Sequence, residues 1–341
     1  VARDILPHVP LAAATIALAI SSVPNSHKLD APQRLDWPGA LSVAAGLAAL
    51  TYGLTEASAR GFADPLVLCA IGAGALVLVA FVRIEANSRH PMMPLDVFRS
   101  RDFTGANLVT LLLYFGLSGA LFFLPFTLIR AHAYTATEAG AALLPVPVII
   151  GLLSRFTGGL TSRFGSRILL SAGPGVAGIG FLMLALPFVR GSYWAGFFPA
   201  LIVLGLGMTI TVAPLTTIVM SSVPAEHAGV ASGINNAVAR VASLLAIAVL
   251  GIVFVWSHQA ALSARLDELD VPSDARRTAQ LLEPEAQGRA AAGDTRLPTQ
   301  TPVALAQAEA ITDALRAVAL VCAVCAFAGA GLAMATVRPR R

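Results

Sequence analysis

Nine long apolar stretches alternate with short polar connectors along this chain. Four of them, Phe103 to Ile129, Ile168 to Val189, Gly191 to Ala225 and Ala317 to Val337, contain no charged residue at all. About 20 apolar residues in helical form cross a hydrocarbon layer of roughly 30 Å. Inside that layer every backbone N–H and C=O must be satisfied within the protein, which leaves helices or closed barrels. Barrel strands alternate polar and apolar positions over about 10 residues; these segments are longer and do not alternate. The pattern predicts an all-α polytopic membrane protein. Its expected helices are Ile5–Ser21, Trp37–Thr55, Pro65–Val82, Phe103–Ile129, Thr137–Ser154, Ile168–Val189, Phe197–Met220, Gly229–Trp256 and Ala314–Val337. One extended polar region, 257–312, is expected as an exposed loop, with Gln259 to Leu269 able to form a short surface helix.

Composition agrees: 56% of the 341 residues are hydrophobic and 12% charged. The net charge of +4 would suggest nucleic acid in a soluble protein. Here the basic residues neither form runs nor interleave with aromatics, so nucleic acid is not an expected partner. Their distribution instead orients the chain. Lys28, Arg34, Arg83, Arg89, Arg99, Arg101, Arg155, Arg163, Arg167, Arg338, Arg340 and Arg341 fall on one side, and Arg60, Arg130 and Arg190 in the short loops of the other. The positive-inside rule puts the first side in the cytoplasm. The N-terminus and the 257–312 loop then lie outside. An odd helix count with an external N-terminus is expected of a chain whose preceding helices are missing.

The polar residues within the spans carry the candidate chemistry. Gly229 and Gly233 give the eighth helix a small-residue face suited to close helix packing. Asn235, Asn236 and Arg240 follow, placing amides and a cation in an apolar span. A charge there costs about 2.5–3.5 kcal/mol on insertion scales, so it faces a cavity or a partner. The bland alternative is a hydrogen bond to a neighbouring helix. Pro214 removes a backbone bond that nearby hydroxyls, Thr209 and Thr211 among them, can patch. Asn107 and Tyr114, seven residues apart, either line a cavity or hold helices together. Gly173-Pro174-Gly175, Gly178 and Gly180 mark a flexible or close-packed point. Thr135 and Glu138 form a capping box.

Absences narrow the function. Cys69, Cys322 and Cys325 lie in apolar stretches and read as packing residues. His8, His27, His90, His132, His227 and His258 have no metal-ligand spacing, so no metal is expected. There is no phosphate-binding loop, and no G-x-S-x-G or H-E-x-x-H motif, so no cofactor and no enzymatic activity are expected. No carboxylate is expected mid-helix.

Gly158-Gly159-Leu160-Thr161-Ser162-Arg163-Phe164-Gly165-Ser166-Arg167 resembles the G-x-L-x-D-R-x-G-R-K loop of the major facilitator superfamily in its degenerate second copy. Gly158, Leu160, Arg163, Gly165 and Arg167 match; Ser162 replaces the acid and Ser166 an arginine. That resemblance implies a cytoplasmic latch, without the acid's part in it. Pro214-Leu215-Thr216-Thr217, the Val223 to Asn236 stretch and Arg240 resemble the fourteen-helix drug:proton antiporter branch (the EmrB- and QacA-like exporters). Asp36-Trp37-Pro38-Gly39, Arg99 to Phe103 and His8-Val9-Pro10-Leu11 are similar to the same branch.

The resemblance implies that 1–21 is the last helix of an amino-terminal bundle and 22–84 two linker helices. It implies a cytoplasmic linker at 85–102 and a carboxy-terminal six-helix bundle at 103–337, with the first five helices absent. It further implies proton-coupled multidrug efflux by alternating access across a bacterial cytoplasmic membrane. The solute would be small and lipophilic or cationic, the coupling ion a proton, and the missing amino-terminal helices would complete the cavity. Asn107, Tyr114, Thr209, Thr211, Pro214, Asn235, Asn236 and Arg240 are the cavity or interbundle candidates. A carrier of the same fold for another solute, or a non-transporting membrane fragment, are the alternatives.

Overall fold

A computed structural model describes residues 8–22, 36–61, 63–88, 95–186, 193–224, 227–269 and 302–338. Lys28, Arg34, Arg89, Arg190, Arg340 and Arg341, most of the expected 85–102 linker up to residue 94, and the middle of the expected polar loop lie outside the described residues.

The chain divides into two units, Val1–Asp36 and Trp37–Arg341. The first contributes α1 (His8–Ser22), apolar throughout, with the Ser21 hydroxyl donating to the Leu18 carbonyl near its end. The second is built of helices joined by short turns among its described residues: α2 (Trp37–Arg60), α3 (Pro65–Asn87), a 3-10 turn at Leu95–Arg99, α4 (Arg101–Ala131), α5 (Ala136–Ala142), α6 (Pro145–Phe164), α7 (Ser166–Ala185), α8 (Phe197–Ser221), α9 (Ala228–Glu268) and α10 (Pro302–Thr336). Eight helical spans among the described residues are long and apolar enough to cross a membrane. The chain is a multi-pass helical membrane protein.

Local chemistry fixes the helix starts. Asp64 accepts from the Leu66 and Val67 amides and Pro65 opens α3, satisfying donors that a helix N-terminus leaves orphaned. Ser100 caps α4 through the Phe103 amide. Thr135 and Glu138 close the expected capping box on α5. The single helix expected over Thr137–Ser154 is instead two. α5 stops at Ala142, Leu143 and Leu144 turn, and Pro145 starts α6, because a proline ring cannot donate to the preceding turn.

Close packing runs through small residues. A Cβ on Gly207 would strike the Ala177 backbone, and one on Gly180 would lie 2.8 Å from the Leu204 nitrogen. α7 and α8 therefore touch backbone to backbone. α2 and α3 do the same at Gly74, where a Cβ would be 2.7 Å from the Leu50 nitrogen. α10 packs on both α4 and α7, α9 packs on α4 and α10, and α6 leans on α8. The main core joins Leu113, Phe123, Leu124, Phe181, Leu201, Leu204, Met208, Leu250 and Val318. Large side chains such as Leu76, Ile168, Val324 and Met334 point outward, as the lipid-facing surface of such a bundle requires.

Two corrections to the expected boundaries matter. The eighth and ninth predicted helices do not stop at Trp256 and start at Ala314. α9 runs on to Glu268 and α10 begins at Pro302, so both ends of the expected loop are long helices. Leu262 and Leu266 bury against Ala306 and Ala310, making a helical hairpin. Arg265 bonds Glu309 at 3.0 Å and also Asp313, and Arg316 bonds Asp313 at 2.7 Å. The helix allowed over Gln259–Leu269 is thus the continuation of α9, and the amphipathic pairing extends α10 where hydropathy alone predicts loop.

The second correction concerns the connector after α6. It is the single residue Gly165, at φ 80° and ψ 150°, a backbone setting that favours glycine. Gly158, Leu160 and Arg163 are therefore helical, and so is Arg155, which the sequence pattern assigns to the loop.

Candidate functional site

The ends of α4, α6, α7 and α10 that carry Arg101, Arg163, Arg167 and Arg338 are tied together. Arg167 Nη2 donates to the Met334 carbonyl at 2.6 Å, in the last turn of α10. There a guanidinium meets carbonyls that the helix leaves unsatisfied. The Arg338 amide donates to Asp102 Oδ1 at 2.9 Å, joining α10 to α4. A Cβ on Gly105 would lie 2.6 Å from Thr336 Cβ, so the two helices press close here. Arg163 lies 5.7 Å over the Phe164 ring, and Leu160 is exposed. This is the arginine-bearing end of the bundle; the α9–α10 hairpin marks the other.

Above this end a polar seam joins α4 to α9. Asn107 is buried and its Nδ2 donates to the Phe103 carbonyl. Asn235 Nδ2 donates to Asn107 Oδ1 at 3.1 Å and to Thr110 Oγ1 at 2.7 Å. Higher on the same pair of helices, Ser118 donates to Ser243 at 2.7 Å. Thr110, Ser118 and Ser243 are absent from the sequence-based candidates, although each lies on the small-polar spacing that interhelical bonds use. Asn107 and Asn235 thus meet, and they meet each other. Tyr114 is half-buried against the cluster that includes Phe103, Val109 and Leu170.

The α8 candidates turn inward to their own helix. Thr209 and Thr211 are buried and donate to the Gly205 and Gly207 carbonyls, each at 2.7 Å. Such back-bonding satisfies hydroxyls in an apolar span. Pro214 is buried within the same helix.

The remaining candidates share an exposed stripe on α9. Gly229, Gly233, Asn236 and Arg240 are all exposed, and their spacing of three and four residues puts them on one helix face. A Cβ on Gly229 or Gly233 would meet nothing within 4 Å, so no described helix packs on the small-residue face expected to do so. Asn236 Nδ2 donates to the Ser232 carbonyl at 3.1 Å. Arg240 stands about 18 Å along the axis from Ala228 at 1.5 Å per residue, near the middle of a layer of roughly 30 Å. α6 is exposed more broadly: Gly151, Leu152, Leu153, Ser154, Arg155 and Phe156, more than a full turn, are all exposed. Arg155 lies about 14 Å from Phe164 by the same measure, with its guanidinium 4.6 Å over the Phe156 ring.

Carboxylates are distributed differently. Those among the described residues lie at helix ends, in connectors or on the hairpin; Glu85, which the sequence-based boundary places outside any helix, is buried in the last turn of α3. No cluster of three or more His, Cys, Asp or Glu able to hold a metal occurs among the described residues.

The described helices thus pack on one another through small residues and leave polar and cationic positions on α6 and α9 exposed. The chain belongs to the major facilitator superfamily, whose family model matches residues 10–247. It is 29% identical over 315 residues to the multidrug resistance protein Stp of Mycobacterium tuberculosis, covering 89% of this chain and 57% of that protein. It is 28% identical over 290 residues to the tetracenomycin C resistance and export protein of Streptomyces glaucescens (82% of this chain, 52% of that protein). The cephamycin export protein CmcT of Amycolatopsis lactamdurans is 30% identical over 221 residues (64% and 45%). The chain spans about half the length of the curated relatives it matches.

Proposed function

We propose that this chain forms the carboxy-terminal portion of a proton-coupled exporter of the fourteen-helix branch, working by alternating access in a bacterial cytoplasmic membrane. The observation that carries the reading is Arg240: a cation at mid-depth of an apolar helix, exposed, beside an amide and two glycines that nothing covers. Lipid is a poor neighbour for that stripe. A water-filled cavity between two bundles is a good one, and secondary carriers place their solute there.

In this reading α4–α10 are the carboxy-terminal bundle and α2–α3 the linker pair. α1 closes an amino-terminal bundle whose other helices supply the opposite wall. Their facing surface would cover the open stripe of α9 and part of the exposed turn of α6. They would also supply the acid that carries the proton, since carboxylates of the described residues lie away from mid-depth. The arginine-bearing end is cytoplasmic and acts as the latch through Arg163, Gly165 and Arg167. Relatives named for multidrug resistance and antibiotic export support the same direction.

The test is transport in everted membrane vesicles by the complete gene product and, separately, by these 341 residues. The complete protein is expected to accumulate solute under a proton gradient and to stop when an uncoupler is added; the 341 residues alone are expected to do nothing. Uncoupler-resistant accumulation would remove the proton from the mechanism, and transport by the 341 residues alone would remove the need for a second wall.

A further inference from the structure

We propose that the solute handled by this wall carries an acidic group, a carboxylate or a comparably acidic oxygen, and that Arg155 and Arg240 hold it in passage. The inference rests on the exporter reading above and names its substrate class. Measured from the arginine-bearing end, Arg155 and Arg240 stand at about 14 and 18 Å along their helices. Between about 10 and 20 Å from that end, they are the only charged side chains among the described residues of α2–α4 and α6–α10. Both are exposed.

Neither guanidinium is neutralised by a described carboxylate. Arg155 rests on the Phe156 ring, which attracts a cation but carries no charge. Arg240 shares its face with Asn236. Contrast the hairpin, where Arg265 and Arg316 both meet acids. The same sequence neutralises its outer arginines and leaves its two deep ones open. A guanidinium offers a planar fork of donors that fits a carboxylate with two parallel bonds. In a partly dehydrated cavity that pairing is strong, and a permanent cation entering the same wall meets like charge. Phe156 supplies apolar surface beside the Arg155 charge, which suits a solute with an aromatic or lipophilic body and one acidic end.

The experiment uses the complete gene product in everted vesicles energised with a proton gradient, with two fluorescent probes: carboxyfluorescein, an organic anion, and ethidium, a permanent cation. Carboxyfluorescein is expected to accumulate faster than ethidium. Arg155→Gln and Arg240→Gln are each expected to slow it about tenfold, the effect of losing one charged hydrogen-bond pair, while Arg155→Lys and Arg240→Lys keep most of it. The thermal unfolding midpoint should not move in either Gln variant. Ethidium moving as fast as carboxyfluorescein would overturn the inference and leave the exporter reading standing. So would anion transport indifferent to both Gln substitutions. A midpoint lowered in the Gln variants would mean that the arginines are paired inside the protein, and would also overturn it. Accumulation of neither probe would overturn both readings together.

Discussion

The α7–α8 seam and the outer faces of α6 and α9 use similar residue types to opposite ends. Along α8 more than half of the most apolar stretch is buried; along the Ala136–Thr157 span of α5 and α6 less than a fifth is, and along α9 little more than a quarter. In the seam, Gly173, Gly180 and Gly207 admit a neighbouring backbone, and buried hydroxyls are spent on their own helix. On α9, Gly229 and Gly233 admit nothing, and the polar groups beside them point outward. A glycine in a membrane helix is therefore ambiguous until its neighbour is known. What separates a weld from an open face is the company it keeps: hydroxyls and apolar bulk in one case, an amide and a cation in the other.

The contrast breaks first at Gly207. Leucine there has no space against the Ala177 backbone and is expected to cost about 3 kcal/mol, read as a lowered midpoint or loss of monodisperse protein in detergent. Gly233→Leu, on the open stripe, should leave the midpoint unchanged and cut efflux by the complete gene product instead. Equal midpoints for both would erase the distinction between the regions.

A smaller effect is expected on the inner side of α9, where it meets α4. Asn235→Ala removes the donor shared by Asn107 and Thr110 and should cost about 1 kcal/mol, because interhelical bonds in membranes average about 0.6 and reach about 1.7. A double-mutant cycle with Thr110→Val reports the coupling directly; zero coupling would mean the amide is held by Asn107 alone.

The smallest effect lies at the end of α4. His132 caps that helix with its ring edge-on to Phe197, and burial pushes its pKa below the usual 6.5. The native state then binds the proton less readily than the unfolded chain. Stability is full above that usual value and falls as pH drops through it toward the lowered native one, by less than about 1.4 kcal/mol per pH unit. His132→Phe should flatten the midpoint between pH 7 and 5; an unchanged slope would assign the acid sensitivity elsewhere.

The helical membrane class was legible in the sequence because uncharged spans such as Phe103 to Ile129 leave a chain in hydrocarbon no alternative. Helix ends were legible where a side chain caps them, as at Asp64 and Thr135. They were misjudged where helix outlasts hydropathy. Beyond Trp256 the chain turns amphipathic, and only the distant Ala306 and Ala310 explain why Leu262 and Leu266 stay helical. Arg155 was misplaced for the related reason that charge ends a hydropathy window without ending a helix. Among the site residues, Asn235 and Asn107 were each picked out as polar groups in apolar spans, yet their mutual bond depends on a helix pairing separated by 128 positions. Thr110 and Ser118 went unnoticed because a hydroxyl in a membrane helix usually bonds its own backbone, as Thr110 does to the Ala106 carbonyl, and only the neighbour's position reveals an interhelical partner.

The hairpin carries a practical consequence. At 41 residues α9 is about 60 Å long, roughly twice the hydrocarbon thickness. Its far portion, bound to α10 by Arg265 through Glu309 and Asp313 and by the packing of Leu262 and Leu266 on Ala306 and Ala310, therefore projects beyond that thickness. A tag or antibody epitope grafted onto that hairpin would report the tilt of the bundle in particle images.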